Sequence, residues 1–110
     1  MKPGIYSVTF TSADGHIGGG LLVVDHERMH GGDAGNVWRG RYERTGELVK
    51  ARVEVINWSG RPHSLFGPLQ NFFVDLVFTA TGDDFSASGH VVGHTGLTLN
   101  LTGRRKADLA

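Results

Sequence analysis

The feature that most constrains the fold of this chain is a period-two alternation of apolar and polar residues, interrupted at regular intervals by turns that contain glycine. Side chains alternate between the two faces of a β-strand, so each such run predicts a strand with one buried face. In the first run, Tyr6, Val8 and Phe10 share one face and the residues between them are polar. The predicted strands cover residues 6–11, 18–25, 29–33, 37–43, 47–57, 72–80, 85–93 and 97–103.

Sequential hairpins with almost no helix predict an all-β chain, an antiparallel up-and-down sheet of about eight strands with at most one short helix. Closing this sheet into a barrel removes exposed strand edges, but a two-sheet sandwich fits the same pattern. Residues 61–71 break the alternation, and a helical turn is expected there around residues 63–66. With 110 residues, we expect one β-barrel domain over residues 1–110, with an ordered core over about residues 4–104.

Turn chemistry predicts how the strands pair. A two-residue loop at residues 45–46 would place Arg39 opposite Arg52, and a second such loop is predicted at residues 82–83. For the last hairpin we predict a three-residue loop over residues 94–96, with its glycine in the left-handed conformation. That loop keeps three leucines on the core face: Leu97, Leu99 and Leu101.

The composition excludes several classes of function. Eleven basic and eleven acidic residues give no formal net charge, which argues against a general attraction to nucleic acid or to anionic membranes. The chain has no cysteine, so disulfides, thiolate metal sites and cysteine catalysis are excluded. The longest apolar run, residues 21–24, is too short to span a bilayer, and no targeting signal is evident. We therefore expect a cytoplasmic protein that binds neither nucleic acid nor a membrane directly.

A literal H-E-x-x-H motif at His26, Glu27 and His30 is the most tempting catalytic signal. In zinc proteases the motif lies on a helix, which places both histidines one turn apart beside the glutamate base. Here an apolar strand leads into the motif and two glycines follow it, which favours a hairpin turn. In an extended segment the two histidines would lie about 13 Å apart, too far for one metal ion. We expect no metal site at this motif.

No other pattern in the chain predicts catalysis. His90 and His94 have the spacing of helical metal ligands but fall on a strand and in its turn, with Asp75 opposite His90 on the outer face. The glycine clusters at residues 18–20 and 31–35 open no helix, so they resemble neither a P-loop nor a dinucleotide site. Without a nucleophile–base pair or paired carboxylates, the sequence predicts a protein that is not an enzyme and carries no cofactor.

Basic residues concentrate on the predicted outer face of the central hairpin. Like charges that face each other across strands cost free energy, so this arrangement predicts a surface for an acidic partner or a second subunit. The competing interpretation is a solvated face that Glu43 and Glu54 neutralise. The candidate partner-binding residues are Arg39, Arg41, Arg44, Lys50 and Arg52.

On the inner face of the same hairpin, two small residues lie between larger ones. In a closed barrel such gaps can leave an apolar pocket, although full packing by neighbouring strands is an equal expectation. A pocket of at least about 300 Å³ would support an alternative function, the binding or transport of a small lipophilic ligand. The candidate lining residues are Trp38, Gly40, Tyr42, Ala51 and Val53.

Four short stretches in the first half of the chain carry a family resemblance. They are GIYS at residues 4–7, GLLV at 20–23, MHGGD at 29–33 and WRGRY at 38–42. Together they resemble the GrlR family, small negative regulators associated with type III secretion. The most specific element is the Gly-Gly-Asp motif, formed by Gly31, Gly32 and Asp33.

The resemblance implies a lipocalin-like, calycin-type β-barrel that can form homodimers. It also implies a function, the inhibition of a helix-turn-helix transcription activator by direct protein binding. At one point the chain departs from the family's best-known member, which has an acidic run at the hairpin where this chain reads RTGE over residues 44–47. No partner-binding residue is therefore transferred to this loop, and the departure indicates a relative with a different partner.

Overall fold

The computed structural model describes residues 1–61, 66 and 69–110 of the chain. Eight antiparallel strands form a closed barrel in which each strand pairs with its sequence neighbours and β8 returns to β1. The strands are β1 (Gly4–Ser12), β2 (Ile17–Asp25), β3 (Arg28–Gly32), β4 (Asn36–Thr45), β5 (Leu48–Asn57), β6 (Asn71–Thr81), β7 (Asp84–Val91) and β8 (His94–Ala107). The barrel prediction is confirmed, and the two-sheet alternative does not hold.

The described residues contain no helix, and hence none long and apolar enough to cross a membrane. The helical turn predicted around residues 63–66 lies outside the described residues except for Phe66, which is in a turn.

The barrel interior holds the apolar residues whose alternation predicted the strands. Tyr6 and Val8 point inward from β1 and are buried. Thr9, which follows Val8 and points outward, is exposed. At the end of the barrel where β1 begins, the ring of Phe85 lies 5.2 Å from the ring centroids of both Tyr6 and Phe78. These three aromatic side chains fill that end of the core.

Large and small residues alternate across the strands that surround this cluster. The 82–83 loop is confirmed, and it places Phe78 opposite Ala87. On the next strand pair Phe85 lies opposite Gly103, where an added Cβ would lie 2.1 Å from the Phe85 ring. A residue larger than glycine at position 103 would therefore displace the aromatic ring, because protein interiors are close-packed.

The register of β4 and β5 differs from the predicted one by two residues. The turn occupies residues 46–47 rather than 45–46, so Arg39 lies opposite Glu54 and not opposite Arg52. The glycine of this turn has a φ of 64° and occupies the first loop position, where the left-handed conformation is required. A shift of two residues keeps each side chain on its predicted face, so the alternation pattern does not reveal it.

The last hairpin turns earlier than predicted. β7 ends at Val91 and β8 begins at His94, with Gly93 in the turn at a φ of 84°. A register shift beside His90 then absorbs the extra residues of β8. The predicted loop over residues 94–96 is therefore wrong, because the left-handed glycine lies before that segment. The leucines that it was meant to place still belong to the core or pack against it: Leu97, Leu99 and Leu101.

Candidate functional site

Three arginines are aligned across neighbouring strands on the outer face of the barrel. The register places Arg28 of β3 opposite Arg41 of β4, and Arg41 opposite Arg52 of β5. All three residues are exposed. Paired strands lie about 4.8 Å apart, so the backbone alone brings these cations onto one surface. We call Arg28, Arg41 and Arg52 the arginine row.

Carboxylates neutralise part of the positive charge on this face. Arg52 donates from Nε to Oδ1 of Asp75 at 2.7 Å and from Nη2 to Oδ2 at 2.9 Å, a bidentate pair. Arg39 donates from Nε to Oε1 of Glu54 at 2.9 Å. No described carboxylate lies within 4.0 Å of the other two arginines of the row. Neutralisation by neighbouring acids therefore accounts for Arg39 and Arg52 among the predicted cations. Within the described part of the chain, Arg41, Arg44 and Lys50 form no ion pair.

Of the remaining predicted cations, Lys50 lies beside the arginine row and Arg44 lies farther along β4. Arg44 lies at the barrel end near the amino terminus, whose pKa is lowered first by partial burial and then by the positive charge of Arg44. Lys50 is on the outer face of β5, opposite Glu43. The residue that lies opposite Arg41 on β3 is Arg28, which the sequence did not indicate as part of this surface. The two are distant in sequence, and the β3–β4 register alone makes them neighbours.

The Arg52–Asp75 pair shifts the ionisation of the carboxylate. Asp75 lies opposite His90, as predicted, but its hydrogen bonds go to Arg52. The hydrogen bonds from Arg52 are the largest cause of a lowered Asp75 pKa, which burial partly opposes and the charge of Arg52 further favours. The pair thus stabilises the ionised form of Asp75 in the folded state.

This lowered pKa predicts a pH-dependent contribution to stability. A carboxylate with a depressed folded-state pKa stabilises the fold above its unfolded pKa, about 3.9, and loses that contribution as the pH falls through the folded value. Because the pair is partly exposed, we expect Asp75→Asn to lower the free energy of unfolding by less than about 1 kcal/mol at neutral pH. Urea unfolding should show this difference shrinking as the pH falls below the unfolded pKa of about 3.9, and a difference that is independent of pH would contradict the assignment.

Apolar side chains form a second row on the same outer face, which the sequence analysis missed. Leu21 is 56% exposed and Val37 is 42% exposed. Trp58 is 61% exposed, and its backbone N–H donates to the carbonyl oxygen of Gly35 in the β3–β4 turn. A signal was available in the sequence, since Val37 shares the outward phase of β4 with Arg39 and Arg41. The register connects four residues across β2–β5, which we call the apolar row: Leu21, Gly32, Val37 and Ile56.

The barrel interior contains an apolar cavity of about 80 Å³, in the half of the barrel toward the end of β1. Of the five predicted lining residues, Trp38 and Val53 lie on its wall. Among the described residues that line the cavity, Gly40, Tyr42 and Ala51 do not occur. A Cβ at Gly40 would lie 2.4 Å from the carbonyl oxygen of Arg52, so this glycine permits close strand approach rather than leaving a gap. The volume is well below the roughly 300 Å³ at which ligand pockets begin.

The Gly-Gly-Asp motif builds the turn from β3 to β4. A Cβ at Gly31 would lie 2.2 Å from the carbonyl oxygen of Leu21, so the neighbouring β2 backbone requires glycine there. Oδ1 of Asp33 accepts the backbone N–H groups of Gly35 at 2.9 Å and of Asn36 at 2.8 Å. The residue types of the motif therefore follow from strand spacing and from the turn.

The H-E-x-x-H motif lies on the β2–β3 hairpin, as predicted. His26 and Glu27 form the turn, where Glu27 has a φ of 61°, and His30 lies on β3 opposite Val23 and Arg39. Across residues 1–61, 66 and 69–110, no three His, Cys, Asp or Glu side chains are grouped so that they could hold a metal ion.

Comparisons with known proteins agree with this architecture. A family model described as "T3SS negative regulator, GrlR" matches residues 1–109. Among solved structures, a redesigned β-barrel aligns with a TM-score of 0.68 and 19% sequence identity, covering 94% of this chain and 90% of that chain. At this identity the similarity concerns the fold alone. The comparison with curated proteins gives no match.

Proposed function

Because the chain belongs to the GrlR family of negative regulators of the type III secretion system, we propose that it acts through protein binding and without catalysis. Its target in this proposal is a cytoplasmic transcription activator of the helix-turn-helix type, which it holds inactive. The family resemblance supports this partner class, and the family is one of regulators rather than a known enzyme family. A homodimer, which the resemblance also implies, stays a prediction.

The observation that carries the proposal is the juxtaposition of Arg28 and Arg41, the two members of the arginine row for which no described carboxylate lies within 4.0 Å. Arginines placed directly opposite each other on paired strands destabilise a sheet, so Arg28 and Arg41 cost free energy in the isolated protein. An acidic partner surface would offset that repulsion, because guanidinium groups bind carboxylates through two parallel N–H···O hydrogen bonds. We infer that the outer face of β3–β5 is the surface that contacts the regulated protein.

A reporter experiment in the native host tests this function. Deleting the gene is expected to raise expression from a type III secretion promoter several-fold, and the wild-type chain supplied in trans should restore repression. Arg41→Glu should fail to restore it, because the substitution reverses the charge at the centre of the arginine row.

Arg104→Glu is the matched control, since it makes the same charge change at an exposed position on β8, on the other side of the barrel. Circular dichroism and immunoblots would establish that both variants fold and accumulate equally. Unchanged expression after deletion would contradict the regulatory role. Equal repression by the two variants would contradict the assignment to this surface.

A further inference from the structure

We propose that the segment of the partner protein that binds the outer face of β3–β5 is both amphipathic and acidic. Its apolar side chains cover the apolar row, and its carboxylates bind the arginine row. The inference deepens the proposed function and rests on it for the premise that the partner is a protein.

Exposed apolar side chains supply the first part of the argument. Leu21, Val37 and Trp58 are each more than two-fifths exposed. Phe73 on β6 is a further exposed aromatic residue, with 46% of its surface accessible. Phe73 lies opposite Glu54 on the outer face, two residues along β6 from Asn71, which pairs with Ile56 of the apolar row. Large apolar side chains gathered on one side of a surface are what the centre of a protein interface buries.

The uncompensated cations supply the second part. Two carboxylates beside the row, Asp75 and Glu54, already bind Arg52 and Arg39. Asp25 lies opposite Arg28 on β2, but no described carboxylate is within 4.0 Å of Arg28 or Arg41. No described carboxylate pairs with Arg41, so its five N–H donors can bind a carboxylate from outside. A charge-assisted, bidentate bond of this kind gives orientation as well as affinity.

The spacing of the two rows sets the spacing of the partner residues. Val37 and Arg41 lie on the same face of β4, four residues and so about 13 Å apart. An α-helix rises about 12 Å in eight residues and is about 10 Å wide with its side chains. A helix with apolar residues at one end and an acidic residue about two turns away therefore reaches both rows.

The charge pattern of this face favours a protein segment over nucleic acid. Carboxylates of Glu54 and Asp75 lie among the arginines, and the chain has no formal net charge. A surface that binds nucleic acid is broadly cationic because it contacts phosphates, and an exposed apolar row makes no such contact. A second copy of this chain fits the surface less well, because it would bring the same arginines to this face. Its Glu54 and Asp75 are already bound to its own Arg39 and Arg52.

Selection from a displayed library of random peptides, each about 16 residues and so about four helical turns long, tests the inference. We expect the enriched peptides to combine Asp or Glu with Leu, Ile or Phe about eight positions away. Synthetic copies should bind at least about tenfold more weakly to Arg41→Glu and to Val37→Asp, a loss of about 1.4 kcal/mol. Their affinity for Arg104→Glu should match the wild type, and added salt should weaken binding to the wild type.

A charge-swapped peptide separates lost recognition from lost folding. Replacing the acidic residues of an enriched peptide by lysine should abolish binding to the wild type and restore binding to Arg41→Glu. A selection that enriches nothing, or peptides without acidic residues, would overturn the inference. So would a wild-type dimer that Val37→Asp dissociates in sedimentation, or duplex DNA binding that depends on Arg41.

The two proposals fail in different experiments. If gene deletion leaves promoter activity unchanged while acidic peptides bind through Arg41, the regulatory role is wrong and the chemistry of the surface stands. If deletion raises promoter activity but no acidic peptide binds through Arg41, the regulatory role stands and this assignment of its surface is wrong.

Discussion

Replacing Phe85 by alanine is expected to lower the free energy of unfolding by about 3–5 kcal/mol. The side chain is 3% exposed, and its ring contacts those of Tyr6 and Phe78. Gly103, opposite it, has no side chain that could fill the space left behind. Because domains of this size are stable by only about 5–15 kcal/mol, the variant should be partly unfolded at physiological temperature.

Phe73→Ala is the matched control, because it removes the same side chain from the outer face of β6. Phe73 is 46% exposed, so we expect its loss to cost less than about 1 kcal/mol. Urea unfolding followed by tryptophan fluorescence measures both variants. Equal losses would mean that the aromatic cluster at the end of the barrel does not dominate its stability.

Asp33→Ala is expected to lower the free energy of unfolding by about 2–4 kcal/mol, the second of the two large effects. The substitution removes the acceptor for the backbone N–H groups of Gly35 and Asn36, both of which are buried residues. A buried donor without an acceptor costs about 1–3 kcal/mol, and two backbone donors lose theirs here. The Nδ2–H of Asn36, which donates to the same Oδ1 at 3.2 Å, loses this acceptor as well. The β3–β4 turn that positions Val37 on the apolar row should loosen with it.

Asp33→Asn separates the hydrogen bonds from the charge. Asparagine keeps an oxygen at the same position, so we expect this variant to lose less than about 1 kcal/mol and to retain repression in the reporter experiment. Thermal unfolding compares the two variants directly. A loss for Asp33→Asn as large as that for Asp33→Ala would show that the carboxylate charge, and not its acceptor geometry, stabilises the turn.

The inward and outward faces of the strands were predictable from the sequence, because a buried face requires alternation with a period of two. Tyr6, Val8 and Phe78 are buried as the pattern indicates, and Arg39 and Arg41 are exposed. Turn residues were less informative. A glycine within a hairpin loop shows that a left-handed residue is needed, but not which loop position it takes. Two of the three predicted loops were therefore misplaced, one by a single residue and the other by two residues.

The candidate site was only partly predictable for the same reason. The predicted basic surface paired Arg39 with Arg52, whereas the register pairs Arg41 with Arg52 and gives Arg39 a carboxylate partner. Arg28 and the apolar row come from strands that are separate in sequence, and no local pattern connects them to the central hairpin.

The amino-acid sequence by itself determined that the chain forms short antiparallel strands, which side chains face the interior, and which family the chain resembles. Only the tertiary structure decided which outward residues are neighbours, and with them the arginine row and the apolar row. The physical reason is that sliding one strand past another by two residues leaves every side chain on its own face. Backbone turns and close packing select among these registers, and they act only in the folded barrel.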